Sequence, residues 1–245
     1  MSKKNREESR AERAAAALIA QQRRERRRNL MVVAAVAAVL VVVVVVGVVV
    51  QSRRDTAGAA ATTPQGVTGG YSVVVGKASA PRTLTVYEDF QCPICREFES
   101  QTGTKLRAAV AAGKVRIDYR MVAFLDRASS TDYSSRALNA AAVVLDTSGV
   151  ATFEKFHDLL YAHQPEEGSA GLTDDQLVQY AVQAGATESA VRPGIEGDDF
   201  HQWVVNATDQ MSKNGVNGTP TVLVDGKPTG TTLAAAIQGA LGAIS

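Results

Sequence analysis

The polarity of the chain changes abruptly near its start. Residues 30–50 form a run of 21 positions without a charge, nearly all Val, Ala and Leu. At about 1.5 Å per residue, a helix of that length crosses the hydrocarbon core of a bilayer. Valine is a modest helix former in water, but lipid leaves the backbone no other way to satisfy its hydrogen bonds. The pattern therefore predicts a basic arm over 1–29, a transmembrane helix acting as a signal anchor over 30–50, and a flexible linker over 51–70. The linker is rich in Ala, Thr and Gly and contains Pro64.

From Tyr71 onward the period of the apolar positions alternates. Tyr71–Val75 and Thr83–Tyr87 read as short strands. After Cys92 the apolar positions Cys95, Phe98, Leu106 and Ala109 fall near helical spacing and stop at Gly113. Val115, Ile117, Tyr119 and Met121 alternate with Arg116, Asp118 and Arg120, the mark of a half-buried strand. Residues 130–212 read as helix throughout. Within them Thr173-Asp174-Asp175-Gln176 has the form of a capping box, opening a helix that ends near Gly185. Phe200, Val204, Ala207 and Met211 mark a later helical face, Trp203 among them as a core residue, with Gly215 as the expected stop. The end returns to sheet: Thr221–Val224, a turn at Asp225-Gly226, a short strand, and a last helix marked by Leu233, Ile237, Ala240 and Ile244. The order β-β-α-β, helical block, β-β-α predicts an α/β domain over 71–245. Its sheet is mixed, and a helical insertion occupies about 126–212.

Charge sharpens this division. The chain carries a net +1, but residues 1–29 alone hold +6 and residues 30–70 hold +1, leaving −6 for residues 71–245. An acidic domain of this kind excludes nucleic acid as a partner, which would require a basic footprint. Arg23, Arg24, Arg26, Arg27 and Arg28 abut the apolar run on one side, while only Arg53 and Arg54 flank the other. The positive-inside rule then places the N-terminus in the cytoplasm and the C-terminal domain outside the cell membrane. A cleavable signal peptide, cut among the small residues Ala57–Ala61, is the competing reading. The length of the apolar run and of the basic segment before it favours an uncleaved anchor. Either way the domain is exported.

The chain has two cysteines, Cys92 and Cys95. In an oxidising compartment a free thiol rarely persists without a purpose. The spacing lets both sulfurs meet on the first turn of a helix, with Cys92 exposed at its start and Cys95 facing the core. Unpaired backbone N–H groups and the positive end of the helix dipole would stabilise a Cys92 thiolate. Pro93 suits the first turn, where no N–H partner is needed, and with Ile94 it tunes the pair. Cys92 would then enter a mixed disulfide with a substrate, and Cys95 would resolve or form it. A zinc site is not expected. It needs four ligands, no further cysteine exists, and His157, His163 and His201 lie in helical segments without metal spacing. A bracing disulfide is disfavoured because so small a loop removes little unfolded-state entropy. Far downstream, Thr219-Pro220 precedes a strand, where a proline forfeits a ladder donor and can take the cis form.

Glu88-Asp89-Phe90-Gln91-Cys92-Pro93-Ile94-Cys95 followed by Phe98, together with Gly218-Thr219-Pro220-Thr221-Val222, resembles the DsbA-like thioredoxin-fold thiol–disulfide oxidoreductases, here in a membrane-anchored bacterial form. The resemblance covers about residues 71–245. It implies a thioredoxin-like fold, a cis Pro220 beside the sulfurs and Cys92 as nucleophile. It further implies substrate binding at Thr219 and Pro220, exported cysteine-containing proteins as substrates, no cofactor, and a quinone-linked membrane partner that reoxidises the pair. The sequence departs from the wider pattern in two places. Many thioredoxin-fold enzymes hold a buried acid six residues before the first cysteine, and here that position is Val86, with Glu88 and Asp89 read at other phases of the strand. The central Pro-Ile also lacks a histidine, so Cys92 should be less acidic than in the strongest oxidases. The expected function is that of an oxidase donating disulfides. A reductase or isomerase of the same fold and a non-catalytic, chaperone-like binding module are the alternatives.

Overall fold

The computed structural model describes residues 57–245. The basic arm, the apolar run over 30–50 and the start of the expected linker lie outside the described residues. The centre of the sheet forms where alternation in the sequence is strongest. In β4 (Val115–Met121) the four apolar positions are buried and the three charged ones between them are half-buried. β3 (Arg82–Glu88) lies parallel to β4, pairing Leu84 with Ile117 and Val86 with Tyr119. The crossover between these two strands is α1 (Pro93–Ala111), which packs Phe98, Leu106 and Ala109 into the core. On the other side of β3 runs β5 (Thr221–Val224), antiparallel, with Val86 opposite Val222. With β1 (Val67–Thr68), β2 (Ser72–Val75) and β6 (Lys227–Pro228), the six strands lie in the order β1-β2-β4-β3-β5-β6. This is a thioredoxin-like mixed sheet with helices packed on it.

The segment read as helical throughout consists of five helices. These are α2 (Tyr133–Ser148), α3 (Val150–Ala162), α4 (Asp174–Ala184), α5 (Glu188–Glu196) and α6 (His201–Lys213). Gly149 separates α2 from α3 with φ of 78°, a left-handed value that an L side chain rarely tolerates. The capping box at α4 is present in both directions. The Thr173 hydroxyl accepts from the Gln176 amide, and the Gln176 side chain accepts from the Thr173 amide. The last helix, α7 (Leu233–Gly242), packs against α1 and β5.

Residues 58–70, which read as linker by composition, are held against the domain by bonds to side chains remote in sequence. The Asn206 carboxamide accepts from Gly58 N at 2.7 Å and donates to Ala59 O at 2.8 Å. Trp203 Nε1 donates to Gly70 O at 2.8 Å, its ring buried in the core. Val67 and Thr68 pair with Val73 and Ser72. Nothing local in an Ala-, Thr- and Gly-rich stretch signals such partners.

Candidate active site

The C-terminal end of β3 feeds directly into α1, and Cys92 is the residue at the junction. Its backbone is extended (φ −74°, ψ 114°), and its sulfur accepts a hydrogen bond from Cys95 N at 3.4 Å, capping the helix. Pro93 opens the first turn. The Cys92 thiol also donates to Thr219 O at 3.4 Å, and the Thr219–Pro220 peptide is cis. The structure thus brings Cys92, Cys95, Thr219 and Pro220 together from positions 127 residues apart. One expectation is corrected: Cys92 is not exposed. It is 5% accessible, because the Thr219–Pro220 loop lies over its sulfur, whereas Ile94 stands out at 47%. Cys95 is fully buried. Both residues are free thiols here.

Their surroundings separate the two sulfurs chemically. The hydrogen bond from the Cys95 side-chain thiol contributes most to pulling the Cys92 thiol down to about 7. Burial opposes it, and the bond to Thr219 and the amides of Cys95 and Ile94 assist. Burial, the contact with Cys92 and the charge of Glu88 push Cys95 well above the ordinary thiol range. The pair therefore consists of one sulfur that ionises near neutrality and one that keeps its proton.

The buried acid read as missing is present two residues later than expected. Val86 is core, but Glu88 lies on the same face of β3 as Leu84 and Val86, since a strand repeats every two residues, and it is fully buried. The reading that put Glu88 out of phase is corrected by that parity. Its Oε2 lies 3.1 Å from His157 Nε2, contributed by α3. Glu99, one turn beyond Cys95 on α1, faces the same group. Burial followed by the charge of Glu88 raises the Glu99 carboxyl well above its ordinary range. For His157, burial acts to lower the value, but Asp158 and Glu88 outweigh it and lift the imidazole to about 10.

A second set of residues ties the cysteine loop to the helical insertion. Asp89 is fully buried, and its carboxylate accepts from Gln91 N (2.8 Å), Ser134 Oγ (2.7 Å) and Leu125 N (2.9 Å). Burial raises it to about 6 against the pull of those bonds. Tyr161 OH donates to Asp89 O at 3.2 Å. At the start of the loop after α3, Gln164 Nε2 donates to both Phe90 O (3.0 Å) and Cys92 O (2.9 Å). Sequence reasoning missed Glu99, His157 and Gln164. A signal existed for Glu99, four residues after Cys95 on the same helical face, and for His157, which sits in the apolar stripe of Phe153, Phe156 and Leu160. Gln164 carried none.

A thiolate-prone cysteine at a strand-to-helix junction, a cis-proline loop over its sulfur and a buried partner thiol, on a thioredoxin-like sheet, define a protein thiol–disulfide oxidoreductase. The chain belongs to the Thioredoxin_4 family, whose model, described as "Thioredoxin", matches residues 68–241. Among solved structures it is similar to the reduced disulfide bond oxidoreductase DsbG of Mycobacterium tuberculosis, at 31% identity and a TM-score of 0.59, covering 73% of this chain and 91% of that one. DsbA of the same organism is 30% identical with a TM-score of 0.58, covering 71% and 93%. Among curated proteins, the serine/threonine-protein kinase PknE of Mycobacterium tuberculosis is 29% identical over 157 residues, or 61% of this chain. The chain spans 28% of that kinase's length.

Proposed function

We propose that the protein is an extracytoplasmic oxidase that donates disulfides to exported proteins. Cys92 is the nucleophile and Cys95 its resolving partner. The apolar run over 30–50 anchors the domain to the cell membrane, and a quinone-linked membrane protein reoxidises the pair. The observation that carries the exchange chemistry is the asymmetry of the two sulfurs: Cys92 caps α1 beneath the Thr219–Pro220 loop and is lowered to about 7, while Cys95 is fully buried and raised well above the ordinary thiol range. In the oxidised enzyme a substrate thiolate attacks Cys92 Sγ. The Cys92–Cys95 bond breaks and Cys95 leaves with the electron pair, taking up a proton. A second substrate thiolate then attacks the substrate sulfur of the mixed disulfide. The substrate leaves oxidised, and Cys92 is released as a readily formed thiolate. Thr219 and Pro220 lie over Cys92, where an extended substrate backbone can pair with them.

Equilibration with glutathione tests the direction. The oxidase reading expects a potential well above the roughly −270 mV of thioredoxin, and a value at or below it overturns that reading. Cys95→Ala, expressed in an oxidising compartment, should accumulate mixed disulfides through Cys92. Recovery of no trapped partner would count against exchange with proteins altogether. One observation favours a reductase as the second reading. A first cysteine near 7 matches thioredoxin rather than the roughly 3.5 of the strongest oxidase of this fold. The same equilibration decides between them.

A further inference from the structure

Glu88, Glu99 and His157 converge from β3, α1 and α3, and one ligand-capable atom of each lies within 4.8 Å of the other two. All three are essentially buried. Beyond a proton shared between the two carboxyls, Glu88 Oε1 and both carboxylate oxygens of Glu99 have no hydrogen-bond partner among the described residues, although each is shut away from water. Unpaired buried carboxylate oxygens are unfavourable, and a cation is one of the few groups that satisfies several together.

We propose that these three side chains form a binding site for a first-row divalent cation of the zinc class. Two carboxylates and one imidazole are the mixed donor set that zinc and its neighbours accept, and three protein ligands leave room for water in a fourth position. Bonds of about 2.0–2.2 Å require donor atoms roughly 3.5 Å apart, so small side-chain rotations close the observed spacing. The imidazole is already oriented for the purpose. Nε2 faces Glu88, while Nδ1 lies 3.7 Å from Asp158 Oδ1, itself held by Arg107 at 2.8 Å. A carboxylate behind the non-ligating nitrogen is the usual support of a metal-bound histidine. Access comes from the cleft between α1 and α3, where Glu99 and Asp158 line the wall beside Glu97. Glu99 lies one turn beyond Cys95 on α1, so the site adjoins the buried end of the dithiol. Histidine spacing along the chain could not reveal this site, because its ligands come from three separate elements.

The test uses the full-length chain with the Cys92–Cys95 disulfide formed, which removes the thiols as competing ligands. Titration with Co²⁺, followed by visible absorption and competed with Zn²⁺, should show one equivalent bound. The expected d–d bands are those of nitrogen and oxygen ligands, without a thiolate-to-cobalt band. Glu99→Gln and His157→Asn should each weaken binding by more than about tenfold. Should either variant fail to fold, the wild-type chain labelled with ¹⁵N-histidine provides an independent reading. Zn²⁺ should shift the His157 imidazole and leave His163 and His201 unmoved. Absence of uptake up to about 1 mM metal, equal affinity in both folded variants, or a response at the other histidines alone would overturn the proposal.

Discussion

The most direct consequence of the site geometry is the pH dependence of Cys92. An ordinary thiol titrates near 9.0, and here Cys92 titrates near 7. At pH 7 about half of Cys92 would be thiolate, against about 1% of an ordinary thiol, a gain of roughly fiftyfold. Intrinsic nucleophilicity falls with acidity, with a Brønsted coefficient of about 0.4–0.5, which returns roughly eightfold. The net rate advantage at pH 7 is therefore only about sixfold, so the absolute rate is a poor reporter and the midpoint is the quantity to measure. The reduced chain would be alkylated with iodoacetamide from pH 5 to 10 and modification at Cys92 followed by mass spectrometry. Its rate should rise through a midpoint near 7 and level off above about pH 8, while Cys95 stays slow because it is buried and keeps its proton. The redox potential should register the same ionisation. Its slope should change from about 59 to about 30 mV per pH unit near pH 7, as two protons per two electrons become one. Because this value is lowered on folding, its contribution to the stability of the reduced form is complete above about pH 9 and is lost as pH falls through about 7. Cys95→Ala removes the largest lowering interaction, so the midpoint should move upward. A wild-type midpoint near 9.0, the value of an ordinary thiol, would refute the reasoning.

Asp89→Ala should strip an acceptor from Gln91 N, Leu125 N and Ser134 Oγ at once and lower stability by roughly 3–5 kcal/mol, read from urea unfolding at pH 7. Gln164→Ala should cost about 1–2 kcal/mol, and hydrogen exchange should quicken first at the loop whose Phe90 and Cys92 carbonyls it holds. Phe153→Ala opens a cavity beside Tyr119 and His157 and should lower stability by about 3–5 kcal/mol. A loss under about 1 kcal/mol in thermal or urea unfolding would show that the site collapses around the deletion.

Local pattern determined a good deal of this protein. The alternation of Val115–Met121, the turn at Asp225-Gly226, the capping box at Thr173 and the placement of Cys92-Pro93-Ile94-Cys95 at a helix start are all decided within a few residues, because strand pleat, turn geometry and cap bonding act over that distance. The pairing of two cysteines three positions apart was legible for the same reason. Apart from Pro220, which the family resemblance placed beside them, the sequence did not disclose what surrounds those sulfurs. That Cys92 is covered rather than exposed depends on a loop 127 residues away. Glu99 and His157 were hidden because their importance arises from meeting Glu88, and Asn206 and Trp203 because they hold the segment before Tyr71 to the domain. Burial and charge are properties of the assembled core. Side chains brought together by packing set how acidic each thiol is, and no window of neighbouring residues contains that information.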